Sequence, residues 1–144
     1  MRMKNVWLLI AWIACLSPSA RADGDLKLSA VETRNTLHAI IHQQMEAFRS
    51  GNYRTAYTYA DDAIKAVYSL QMFERMVQTG YPDIPHSVSA NCGLTFDNGD
   101  DAVVSVRVRD ANDKSADYEY LLHWNGTSWR ISGVVISKKP ALEV

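Results

Sequence analysis

Residues 116–137 read ADYEYLLHWNGTSWRISGVVIS, and the period of this stretch decides the fold class. Tyr118, Tyr120, Leu122 and Trp124 alternate with Asp117, Glu119, Leu121 and His123. A repeat of two is the signature of a strand with one covered face. Trp129, Ile131, Gly133 and Val135 carry a further strand over 129–137. Asn125-Gly126 separates the two as a hairpin signal, since both residue types tolerate positive φ. Working upstream, Val104, Val106 and Val108 alternate with Ser105, Arg107 and Arg109, which predicts a strand over 102–109. Asn98-Gly99 joins it to a strand over 87–96. There Val88, Ala90, Cys92, Leu94 and Phe96 alternate with small or polar residues, which places Cys92 on the apolar face. Four antiparallel strands are thus expected, with a longer polar loop from Asp110 to Ser115.

Residues 29–80 have the other period. Leu37, Ile40, Ile41, Gln44, Met45 and Phe48 recur at helical spacing. Ser29-Ala30-Val31-Glu32 reads as a capping box, and Ser50-Gly51 as the stop. Asn52, then Asp61 or Asp62, then Ser69 predict the starts of three more helices. Gly80, Pro82 and Pro85 end the last one and mark the crossing into the strands. Helices followed by a meander imply an α+β domain, with N-terminal helices packed on an antiparallel sheet.

The first 22 residues stand apart. Arg2 and Lys4 precede an uncharged apolar run from Val6 to Leu16, and Ala20 and Ala22 flank Arg21. This is the layout of a secretory signal peptide cleaved after Ala22. The run is about half the ~20 residues a spanning helix needs. Ile13-Ala14-Cys15 loosely resembles a lipoprotein site, so the one route to a membrane is the leader or a lipid anchor at Cys15. Residues 23–144 form the expected single domain, with a periplasmic or secreted location. The leader holds three of the 15 basic residues and no acidic one, leaving 12 against 16, a net charge of −4. That balance argues against nucleic acid as a partner. Cys92 has no mature partner for a disulfide and reads as a small buried hydrophobe.

The order Ile41-x-x-Gln44-x-x-Ala47-Phe48, Ala56-Tyr57-x-x-Ala60-x-x-x-Ile64, Phe73-x-x-Met76-Val77-x-x-Gly80-Tyr81 and Trp129-Arg130-Ile131-x-Gly133 resembles the bacterial family called domain of unknown function 4864. The resemblance implies a fold like nuclear transport factor 2 and the cystatin-like proteins, with helices in the hollow of a curved sheet and a cone-shaped pocket. It implies no activity and no catalytic residue. Asp61-Asp62 departs from a small residue followed by Pro in that family's pattern.

Three readings of function follow. The first is a non-catalytic domain that binds a small apolar ligand or an envelope protein on its concave side. Tyr53, Tyr57, Phe73, Met76, Tyr81 and Trp129 are its candidate binding residues, as large apolar bodies with polar tips among them. The second is a hydrolase- or isomerase-type enzyme using Asp61 or His86 with Tyr57 as hydrogen-bond donor. The third is a homodimer formed through an exposed sheet face bearing Tyr118, Tyr120 and Trp124. His38, His42 and Glu46 line up one turn apart, the spacing of a metal stripe, but opposite the apolar face. They read as a solvated face, and no metal or cofactor is implied. His123 reads as an exposed cross-strand partner.

Overall fold

The computed structural model describes residues 24–137. Nine elements run in chain order: β1 (Lys27–Leu28), α1 (Val31–Arg49), α2 (Tyr53–Thr58), α3 (Asp62–Val67), α4 (Leu70–Gly80), β2 (Ser87–Asp97), β3 (Asp101–Asp110), β4 (Ser115–Trp124) and β5 (Trp129–Ile136). The strands form one antiparallel sheet in the order β1-β2-β3-β4-β5. The signal-peptide reading falls on residues 1–22, outside the described residues.

The sheet has five strands, where four were expected. The extra strand, β1, pairs Lys27 with Asp97 and Leu28 with Phe96. Two exposed residues carry no alternation, so nothing local announces them. Ser29 holds the strand end in place. Its N–H bonds the Thr95 carbonyl at 2.9 Å and its hydroxyl donates to the Asp97 carboxylate. Ser29 is therefore not available to α1, whose N-cap is Ala30 with no side-chain bond. The capping box does not form.

The other helix ends follow local chemistry. Gly51 takes φ 74°, the left-handed value that ends α1 with least strain. Asn52 Oδ1 accepts from Thr55 N–H at 3.1 Å and opens α2. Ser69 Oγ accepts from Met72 N–H at 3.2 Å and opens α4. Asp61 sits at the N-cap of α3, but its carboxylate makes no capping bond. Its backbone does other work. Asp61 N–H bonds Ile131 O, and Ile131 N–H bonds Tyr59 O, both at 2.8 Å. The α2–α3 linker thus covers part of the free edge of β5, where unpaired backbone groups would otherwise be exposed.

α1 buries Leu37, Ile41, Gln44, Met45 and Phe48 along one stripe. The covered face of the sheet supplies Val104, Val106, Val108, Tyr118, Tyr120, Leu122 and Ile131 to the same core. Each such aliphatic side chain contributes about 1.5–3 kcal/mol by leaving water. Tyr118 and Tyr120 are 3% and 0% exposed. The expected exposed face of Tyr118, Tyr120 and Trp124 therefore does not exist: these tyrosines face the helices, and Asp117 and Glu119 take the other side.

β2 departs from simple alternation. Its register against β3 shifts between Ser87 and Ser89 and again between Cys92 and Thr95. Bulges of this kind reset which side chains point inward. Ser87 and Thr95 are buried, whereas Val88 and Leu94 are exposed; Ala90 and Cys92 pack against the core. The hairpins also differ from a two-residue turn with both φ values positive. Only Gly99 and Gly126 take positive φ. Asn98 and Asn125 instead fold their side-chain oxygens back onto two following N–H groups each, as Asx turns do.

Candidate functional site

A cavity of about 60 Å³ lies between the helices and the end of the sheet. α1 contributes Gln44 and Phe48, the α2–α3 linker Ala60, α3 Ile64, and α4 Phe73, Met76 and Val77. Tyr68 and the crossing residues Tyr81 and Ile84 add to the helical side. Tyr120 of β4 and residues 131–134 of β5 form the sheet side. The walls are almost wholly apolar.

The polar groups in the wall are committed elsewhere. Gln44 Nε2 donates to Ala56 O at 3.0 Å. Tyr81 Oη donates to Val134 O at 2.6 Å. Burial pushes the phenols of Tyr68, Tyr81 and Tyr120 above their ordinary value, Tyr81 with a second contribution from Tyr118 and Tyr120 with one from Cys92. These groups stay protonated at any physiological pH. The wall thus contains neither a carboxylate nor an imidazole.

A family model for Domain of unknown function (DUF4864) matches residues 30–144. The chain belongs to that family. A search of curated proteins and a search of solved structures each found no match.

Of the six residues the sequence of this DUF4864 chain suggested for binding, Phe73, Met76 and Tyr81 line the cavity. Tyr53, Tyr57 and Trp129 stand behind or beside it. Tyr53 packs on Phe48 at 5.6 Å between ring centroids, and Tyr57 on Phe73 at 5.1 Å. Trp129 meets Trp124 edge to face at 5.7 Å. The Tyr57 hydroxyl donates to Tyr68 O at 2.5 Å. Sequence reasoning passed over Tyr120, Ile131 and Val134. The polar alternation of Asp117, Glu119 and His123 was the available signal for Tyr120.

The acid–base candidates do not converge. His86 is exposed, and its Nδ1–H donates to Pro82 O at 2.8 Å. Asp61 is not part of the cavity wall. His123 pairs across strands with Asp101 at 3.0 Å, part-exposed as expected.

The His38–His42 stripe does not face open solvent as expected. α1 lies against β2, so His38 Nε2 sits 2.8 Å from Thr95 Oγ1, and His42 Nε2 3.7 Å from Cys92 Sγ. Thr95 gives its own proton to Gly93 O, so His38 Nε2–H is the donor in that bond. Glu46 pairs with Arg49 instead. Among the described residues no three His, Cys, Asp or Glu side chains converge on a point where a metal ion would sit.

Two titrations follow. Burial, then the nearby positive charges of Arg34 and His42, hold the His38 pKa below its ordinary 6.5. Unfolding restores 6.5, so the unfolded chain takes up the proton first. Stability from His38 is complete above pH 6.5 and falls as the pH drops through the lower folded value. Asp110, held low by N–H bonds from Lys114 and Asn112, loses its contribution only below its ordinary 3.8. Urea midpoints are expected to decline from pH 7 toward pH 5, and His38→Gln is expected to flatten that slope.

Burial pushes the Cys92 thiol up to about 11. At pH 8 the thiolate fraction is then about 10⁻³, and the neighbouring His42 does not activate it. Reaction with an aromatic disulfide reagent is expected to be at least about 100-fold slower in the folded protein than in urea. Equal rates would show that Cys92 is not shielded.

Proposed function

We propose that this chain is an exported, non-catalytic binding domain that holds a small apolar ligand, or an apolar group of an envelope protein, in the cavity between helices and sheet. One observation carries the reading. The wall is apolar, and its titratable members are phenols that stay protonated. Such a surface desolvates an apolar guest at little cost and gives a proton-transfer reaction no base to work with. Tyr57 and His86 give their hydrogen bonds to backbone carbonyls, which favours binding over an acid–base role for them.

The bulges in β2 and the shift between Leu121 and Leu122 in the β4–β5 pairing support a bent sheet of the cystatin-like kind, with the helices on its hollow side. The layout of residues 1–22 supports export to the periplasm or beyond, with the leader removed after Ala22.

The test has two parts. Protein recovered from the envelope fraction is analysed by native mass spectrometry, and its N-terminus is sequenced. A mature chain beginning at Asp23, with a co-purifying apolar molecule or protein, is the expected result. A chain that retains residues 1–22 in the cytoplasm would sink the export reading. Turnover of any substrate that survives Phe73 and Tyr81 substitution would remove the cavity from the function.

A further inference from the structure

The cavity is too small for a ring. Its volume is about 60 Å³. A dry apolar cavity of about 150 Å³ holds benzene, while one water-sized probe needs roughly 10–15 Å³. A file of a few saturated carbons fits between those limits. A polar guest would give up its water and gain little, because Gln44 Nε2 and the Tyr81 hydroxyl already bond protein carbonyls.

The apolar surface continues outward from the wall. Val67 precedes Tyr68, Met72 stands one turn from Met76 on α4, and Ile136 follows Val134 by two on the same side of β5. These three neighbours of the wall are 44%, 48% and 39% exposed. A compact guest would leave them in water. An elongated one would cover them.

Resting on the binding reading above, we infer that the ligand class is an unbranched saturated alkyl chain. Its terminal carbons occupy the cavity, the following ones run over Val67, Met72 and Ile136, and its polar head stays in solvent. Phe73 and Tyr120 set the narrow bore, and the exposed residues set the length that is recognised.

The probes are sodium decanoate, 1-butanol, toluene and vesicles of phosphatidylglycerol, each added to the full chain. Thermal midpoints and the ¹³C methyl resonance of Met76 are the readouts. Decanoate at 100-fold excess over its Kd is expected to raise the midpoint by about 10 °C and to shift the Met76 methyl. Vesicles without free acid separate a membrane-borne chain from a soluble one, and a Met76 shift in either arm supports the inference. Val67→Glu lies on the surface and leaves the core intact. It is expected to weaken decanoate about tenfold while 1-butanol, which reaches only the cavity, is unaffected. Val77→Leu, which fills the bore, is expected to weaken both. Binding of toluene as tight as that of decanoate would overturn the chain assignment and leave an apolar site standing. Failure of every probe to move the Met76 methyl would overturn the site itself.

Discussion

Phe73→Ala is expected to lower the unfolding free energy by about 3–5 kcal/mol. Phe73 is 4% exposed, stacks on Phe48 at 6.0 Å and meets Tyr57 at 5.1 Å. Removing its ring costs the transfer energy of the buried carbons and leaves a void. That void opens into the existing cavity, so the walls cannot close it by a small local shift. Urea unfolding at pH 7.5 gives the loss directly from the midpoint and slope. The enlarged space should then admit toluene, and saturating toluene should recover part of the loss by mass action. A loss below 1 kcal/mol, with no response to toluene, would show that Phe73 does not form the wall.

Ile41→Ala is expected to cost about 2–5 kcal/mol. Ile41 lies at the centre of the buried stripe of α1, between Leu37 and Met45, and all three are fully buried. The sheet opposite is locked by its ladders and cannot follow the missing methyl groups. Much of α1 is also held by tertiary packing, since helix propensity alone rarely secures a helix of this length. Leu28→Ala is the control. Leu28 is 67% exposed on β1, and its loss should stay within about 0.5 kcal/mol. Similar effects at the two positions would contradict the assignment of α1 as the rod against which the sheet packs.

Much of the architecture is legible in the chain. The periods of Tyr118–Trp124 and Val104–Val108 place β4 and β3 to within a residue, and Asn52 and Ser69 cap the helices they were expected to cap. The candidate site is less legible. Phe73, Met76 and Tyr81 are cavity residues, but Tyr57 and Trp129 have the same composition and the same spacing and stand outside it. Nothing in a residue type says whether its ring faces a void or another ring.

What the sequence determined by itself are properties of neighbours along the chain. A repeat of two or of 3.6, a capping oxygen three residues before an N–H, and a glycine at positive φ each need only a few adjacent residues. What the tertiary structure decided are pairings across distance. Ser29 gives up its cap because Asp97, 68 residues away, takes its hydroxyl. β2 turns Thr95 inward and Leu94 outward because its register against β3 slips at a bulge. His38 and His42 leave solvent because β2 lies beside α1. The cavity, too, exists only where α1, α3, α4 and β5 fail to close on one another, and that residual space is a sum over contacts that no single segment encodes.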